Sequence, residues 1–414
     1  MVQTLFGVII ILVVMNFLLS EWLKFLNNKW RDKAIPQLLK EVYSEEKYLQ
    51  YRSYKKELYS LSILVSTFSF LLTLFMLIDG FAILDYVVRK LTSHEILVSI
   101  IYFGTLGLFS DLLMTPFDVY ETFVIEEKYG FNRSTVKTYI MDKLKSWLLF
   151  AIIGFPLSYL VIWLYFQFGQ NFWWMVWIVI TVFSIFMTFF YSNLIVPLFN
   201  KQTPLAEGTL KHKIQELSEK VNFKIENIFI IDGSKRSTRA NAYFTGFGSR
   251  KRIVLYDTLI NTHSEEEIVS VLAHEIGHYK KKHIIKGMTT SILTTGLLLF
   301  VFSFIISNPN IYEAIGTQPG FHIGVIVFGI LFTPISFLLS LYQNAISRKH
   351  EFQADEFASM HASPVHLSSA LKSLAANNLS DLTPHPWYVK AYYSHPPLLQ
   401  RIQKLIKAKQ EVKV

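Results

Sequence analysis

Residues 173–199 read WWMVWIVITVFSIFMTFFYSNLIVPLF, a run without one Asp, Glu, Lys or Arg. About 20 apolar residues in a helix are enough to cross the hydrocarbon core of a bilayer, and this run is longer than that. Six further runs of the same kind flank it, so the chain reads as seven spans: Leu5–Leu19, Tyr59–Ile78, Ile96–Leu113, Trp147–Phe166, Trp173–Phe199, Ile284–Ile306 and Gly324–Ile346. The first has no Lys or Arg before it and no small-residue cleavage site after it. It therefore reads as a retained span, not a signal peptide. The fold class expected is an all-α polytopic membrane protein.

Composition agrees. Of the 414 residues 51% are hydrophobic and 17% charged, against about a quarter charged in an average soluble protein. The formal charge of +9 sits in connections between apolar runs, where it suits anionic lipid headgroups and not nucleic acid. The chain has no cysteine, which excludes disulfides, iron–sulfur clusters, thiolate zinc sites and cysteine nucleophiles together. Any metal must be held by His, Asp or Glu.

Basic residues in the connections fix an orientation. Residues 21–58 hold nine Lys and Arg and residues 114–146 hold five, whereas 79–95 hold only Arg89 and Lys90, and 167–172 and 307–323 hold none. Rich and poor connections alternate. The N-terminus is thus expected outside or in a lumen, and the C-terminus in the cytoplasm. Four parts follow: residues 1–199 with spans one to five, a cytoplasmic insert over 200–283, spans six and seven over 284–346, and a cytoplasmic C-terminal region over 347–414. Within the insert, Leu210, Ile214, Leu217 and Val221 predict a helix, and Asn227–Ile231, Ala242–Phe247 and Arg252–Tyr256 predict strands. Lys404–Val414 reads as a frayed basic tail.

The chemistry lies in the next helix. Ser264 and Glu267 form a capping box that opens it, and it runs on through His274-Glu275-Ile276-Gly277-His278. In HExxH the two His lie one turn apart on one helix face, so both imidazoles reach one Zn²⁺, and Glu275 stands beside the metal as general base for water. Composition alone yields about 0.02 such matches by chance. Hydrolytic zinc takes three protein ligands and keeps a position for water. The third is expected just past the last span, where Glu351 and Asp355 lie four apart on one helical face. Glu351 serves as ligand and Asp355 orients a ligating imidazole. One zinc per chain is the expected cofactor.

The HExxH motif, Ser347-Arg348-Lys349-His350-Glu351-Phe352-Gln353-Ala354-Asp355, Arg239-Ala240-Asn241-Ala242-Tyr243-Phe244, Ser394-His395-Pro396-Pro397, and Pro116–Tyr120 followed by Glu126–Asn132 occur in order. Together they resemble the integral-membrane zinc proteases typified by the type I CAAX prenyl protease, over nearly the whole chain. The resemblance implies seven transmembrane helices around a large intramembrane chamber, with a small cytoplasmic α+β zinc-protease domain. It implies a peptide or protein substrate, prenylated at a C-terminal CAAX motif, from which the last three residues are cut. It implies ligands His274, His278 and Glu351, Glu275 as base, and His395 as stabiliser of the oxyanion. Asn241, Ala242, Tyr243 and Phe244 match the segment beside which substrate lies as an added strand, and Arg348 is expected to partner carboxylates of the site.

The intramembrane acid Asp111 is a functional candidate, because lipid exposure of a carboxylate is costly. Asp79 and Asp85 sit near a span end within reach of water and receive no role; His263, His283, His322 and His350 are read as surface or packing residues. Trp147, Trp163 and Trp173–Trp177 read as lipid-facing bulk and interfacial anchors. A membrane quality-control metalloprotease of the heat-shock type is the competing enzyme reading, though its relatives have fewer spans. A transporter or scaffold with structural zinc lacks the cysteines such sites use. A prenyl transferase lacks its Asp-rich motif. The resemblance places the protein in the endoplasmic reticulum membrane of a eukaryote or the inner membrane of a bacterium.

Overall fold

The computed structural model describes residues 2–223, 227–245 and 252–411. Among the described residues, six helical stretches are long and apolar enough to cross a membrane: Val2–Trp30, Glu45–Leu91, Glu95–Glu126, Val136–Phe199, His283–Ile305 and Phe321–His361. Two of the expected segments, Trp147–Phe166 and Trp173–Phe199, fall within one of them, Val136–Phe199. That stretch is interrupted at Gly169, which takes φ +51 and opens a single tight turn over Gly169–Asn171. A left-handed φ costs glycine little, which is why the helix ends there. Across the turn the rings of Tyr165 and Phe172 meet at 5.3 Å.

The helices outrun their apolar runs. Glu45–Phe75 begins well before Tyr59, at a Ser44 cap whose side chain accepts from the Lys47 amide at 3.2 Å, because polar helix formers continue the spiral into water.

Buried apolar residues form two separate cores. One gathers Ile9, Leu77, Phe81, Tyr102, Phe172, Phe302 and Val327. The other gathers Leu39, Tyr51, Tyr54, Phe131, Ile214, Leu255, Leu272 and Ile402. Between them the long helices bury little: Glu45–Phe75 has no buried residue after Leu61, Glu95–Tyr120 none after Tyr102, and Phe321–His361 none between Val327 and Glu351. A solidly packed bundle buries one stripe along each helix. Here the stripe is missing at mid-height.

A sheet of four strands, β1 (Gln202–Pro204), β2 (Asn227–Ile231), β3 (Ala242–Thr245) and β4 (Arg252–Tyr256), is ordered β1-β2-β4-β3. β2 and β4 are parallel, and the outer strands are antiparallel to them. The buried run Ile253, Val254, Leu255 marks β4 as a central strand. β1 was not foreseen, since a three-residue strand containing Pro204 carries almost no pattern. β3 lies at an edge, with Tyr243 opposite Val254 and Phe244 opposite Ile253; residues 246–247 of the expected strand lie outside the described residues. The helix Thr209–Lys220 buries Leu210, Ile214 and Leu217 as its spacing predicts.

Four expectations need correction. The basic tail is helical to Glu411, with Ile402 and Leu405 in the core, because those residues and Leu398 form an apolar face that has a partner. Asp85 does not reach water: it is 3% exposed, bonded to Arg89 at 2.9 Å and to His322 at 2.8 Å. His322 is therefore a buried partner of Asp85 and of Ser99, 3.1 Å away, and not simple packing. Asp111 has a counterion, Lys143 at 3.2 Å, and accepts from the Trp147 indole at 3.1 Å, so Trp147 is more than lipid-facing bulk.

Candidate metal centre

The motif helix Glu265–Lys280 begins at Ser264 with both halves of the capping box formed. This satisfies amides at its start and fixes the register that turns His274 and His278 to one side. It packs on Phe321–His361 at Gly277: a Cβ there would lie 3.1 Å from the Ala354 Cα and 3.1 Å from the Phe357 Cβ. Only glycine permits that approach without displacing a backbone.

The crossing brings His274, His278 and Glu351 together, one ligand atom from each within 4.8 Å of the others. The two Nε2 atoms are 3.1 Å apart. Glu351 Oε2 is 3.5 Å from His274 Nε2, and Oε1 is 3.2 Å from His278 Nε2. Donors about 2.0–2.2 Å from a tetrahedral zinc stand about 3.3 Å from one another, so the spacing fits that ion.

Proton placement argues further for a cation. Asp355 Oδ1 lies 2.9 Å from His274 Nδ1, so this nitrogen carries the proton and Nε2 presents a lone pair. On the other side Gln353 Oε1 accepts from His283 Nε2 at 2.9 Å, which leaves His283 Nδ1 to accept from His278 Nδ1 at 3.1 Å. His278 Nε2 is then a lone pair as well. Two lone pairs and a carboxylate face each other with no proton between them, an arrangement that a cation stabilises. Glu351 is 3% exposed, and its Oε2 makes no hydrogen bond; His395 Nδ1 comes within 2.8 Å of it, but poorly aligned. Burial disfavours the imidazolium of His274, yet Asp355 and Glu351 raise its pKa to about 9. A proton on His274 answers the same demand for positive charge that a metal ion would.

Asp355 is 2% exposed and is held by Arg401, with Nη2 at 2.6 Å and Nε at 2.8 Å. This bidentate pair ties the C-terminal helix Leu398–Glu411 to the site. Arg401 is the partner expected of Arg348. Arg348 instead donates to the carbonyls of Val389 at 3.1 Å and Tyr393 at 2.6 Å, bracing the segment that carries His395, because its helix position faces that segment and not the ligands. His283 is a further correction: it is 6% exposed, bonded to His278, and stacked on His350 at 3.9 Å.

The sequence held signals for both missed residues. Arg401 interrupts the apolar face of Leu398, Ile402 and Leu405, and His283 follows HExxH by five residues.

Glu275 is half-buried and makes no hydrogen bond or ion pair among the described residues. The side chain of His395 is 65% exposed. β3 runs beside the motif helix, where the Phe244 and Tyr279 rings meet at 5.3 Å. Asn241 caps the strand, its Oδ1 accepting from the Ala242 amide at 2.8 Å and its carbonyl from the Tyr256 amide at 3.0 Å. Two of the quoted motifs meet here too: Arg239 donates to Glu126 at 2.9 Å and to Tyr54 Oη at 2.6 Å.

Comparison with known proteins agrees with this arrangement. The profile of the CAAX prenyl protease N-terminal region, five membrane helices, matches residues 24–201, and that of peptidase family M48 matches residues 204–409. CAAX prenyl protease 1 of Saccharomyces cerevisiae is 39% identical over 324 residues, covering 74% of this chain and 72% of the relative. The CAAX prenyl protease 1 homolog of Dictyostelium discoideum is 34% identical over 405 residues, covering 94% of this chain and 91% of that one. The crystal structure of S. mikatae Ste24p superposes with a TM-score of 0.92 at 34% identity, over 97% of this chain and 99% of that chain. With both profiles matched in succession and these relatives aligned over most of their length, the chain belongs to peptidase family M48, the metallopeptidases that include CAAX prenyl protease 1.

Proposed function

We propose that this multi-pass membrane protein is a zinc-dependent endopeptidase that removes the last three residues from prenylated CAAX proteins. The observation that carries the reading is the convergence of His274, His278 and Glu351 beside an unpaired Glu275 and an exposed sheet edge. A zinc ion held by the three ligands supplies Lewis acidity and brings the pKa of a water to about 7. Glu275 accepts the proton of the attacking water and returns it to the leaving amine. His395 stands at the rim of the site as a donor to the developing oxyanion. Asp355, fixed by Arg401, keeps His274 in its binding tautomer, and Gln353 does the same for His278 through His283. The free edge of β3, from Ala242 to Phe244, offers amides and carbonyls to an extended peptide.

The finer plan is also proposed: seven spans around a chamber, a cytoplasmic α+β unit bearing the zinc site, and division at 199, 283 and 346. The fold-back at Gly169 supports seven spans, and the missing mid-height stripe of buried residues supports a cavity that accommodates a prenyl chain. The basic connections support a cytoplasmic active site, in the endoplasmic reticulum membrane of a eukaryote or the inner membrane of a bacterium.

The decisive experiment compares a farnesylated CAAX peptide with its unmodified twin on the zinc-loaded protein. Selective release of the terminal tripeptide from the farnesylated form is expected, with a lower KM. Equal rates on both would remove lipid recognition while leaving the peptidase, and no cleavage of either would remove the proposal.

A further inference from the structure

Beside the second core lies a cavity of about 300 Å³ whose wall includes Lys24 and Arg31 of helix Val2–Trp30 and the turn after it, Tyr51 and Lys55 of Glu45–Phe75, and Asp381 and Tyr393 of the C-terminal region. It lies where these two helices leave their apolar runs on the basic side. Its lining carries donors without a well-formed hydrogen bond among the described residues. Tyr51 is 1% exposed and its hydroxyl makes no well-aligned hydrogen bond, although burial and the neighbouring Asp381 both push its pKa up. The Lys55 ammonium makes no ion pair or hydrogen bond among the described residues and lies 5.4 Å from the centre of the Tyr54 ring. Arg31 Nε is buried without a hydrogen bond, 3.5 Å from Asp32. Lys24 is paired with Glu21 at 2.7 Å. The single acid of the lining, Asp381, accepts instead from Asn27 at 3.2 Å and from the Thr383 amide at 3.0 Å.

We infer that this cavity is a binding site for an anionic oxygen group, a phosphate or a carboxylate, carried by an amphiphile at the membrane surface. Two buried donors without a hydrogen bond, Tyr51 Oη and Arg31 Nε, beside the half-buried Lys55 ammonium are costly when the cavity is dry, because a buried donor forfeits its hydration. An acceptor-only, charged ligand satisfies all of them and offsets the excess positive charge of the wall. The ligand is drawn from the membrane or the active site. Basic pockets between helices on the cytoplasmic side suit lipid phosphates. Tyr393 is two residues from His395, and about 10 Å of extended chain covers three residues, so the free carboxylate of a bound substrate peptide is the second source. That second source rests on the proposed function; the first does not.

The test uses Lys55→Gln and Tyr51→Phe, with Lys55→Arg as the conservative variant and exposed Lys56→Gln as a charge-matched control, all zinc-loaded in nanodiscs. One arm measures anionic lipid retained by the protein in native mass spectrometry, from discs mixing phosphatidylserine with phosphatidylcholine. The other measures binding of a CAAX peptide with a free C-terminal carboxylate and of its C-terminal amide, in a Glu275→Gln background that cannot turn them over. Loss of phosphatidylserine retention in Lys55→Gln and Tyr51→Phe, but not in Lys55→Arg or Lys56→Gln, assigns the site to a lipid phosphate. Loss of about tenfold acid-over-amide preference in the same pattern assigns it to the peptide carboxylate. If neither readout moves, or Lys56→Gln moves both equally, the inference is overturned. Absence of any peptidase activity in the unmutated protein would sink the proposed function and leave the lipid arm standing.

Discussion

Single side chains divide the work of the site sharply. Glu275 makes no hydrogen bond or ion pair among the described residues, whereas His274 is held by Asp355 and His278 by His283. Glu275→Gln is therefore expected to bind one zinc per chain by elemental analysis and to lose about 10²–10⁴ in kcat, the usual worth of a positioned base. Zinc loss in that variant would show that Glu275 holds the metal and not the proton. His283 and Gln353 act one step further out. His283→Ala or Gln353→Leu frees the His278 ring to rotate and should weaken zinc binding about 10–100-fold in a chelator competition, with activity largely restored by excess zinc. A structural role alone would not be rescued by metal.

At the scale of elements, the site depends on how closely two helices cross and on what the last helix supplies. Gly277→Ala places a methyl against the Ala354 backbone and Phe357. It should separate His274 and His278 from Glu351 by a few tenths of an ångström, reducing zinc affinity more than thermal stability, with Gly277→Val worse in both. Arg401→Leu leaves the buried Asp355 without its counterion, held by His274 alone. A loss of about 3–5 kcal/mol of stability is expected by thermal unfolding, partly recovered when Asp355→Leu is added. Arg348→Leu, whose partners are carbonyls near His395, should cost less stability and lower activity instead.

For the whole molecule, the two cores lie on either side of the helices' poorly buried middle, and the metal site belongs to only one of them. Zinc removal by phenanthroline should abolish cleavage and destabilise the fold by about 4 kcal/mol where free zinc had stood at a thousand times its Kd, read as a lower melting temperature. Helical circular dichroism should persist at ambient temperature, because both cores are built of apolar side chains and neither includes His274, His278 or Glu351. Collapse of the helical signal on chelation would mean that zinc organises the bundle.

Local pattern determined much of this protein. Apolar run length dictates membrane helices, the Ser264 box dictates where the motif helix starts, and four-residue spacing puts His274 with His278 and Glu351 with Asp355 on shared faces, since each depends on a few neighbouring residues and helix geometry. Residues distant in the chain were paired only by tertiary structure: Arg401 and not Arg348 on Asp355, His283 behind His278, Asp85 buried with His322, Lys143 on Asp111. Helical periodicity tells which face a side chain occupies but not what that face meets. The partner is chosen by how helices cross, and a glycine as small as Gly277 decides that crossing through contacts made seventy or more positions away.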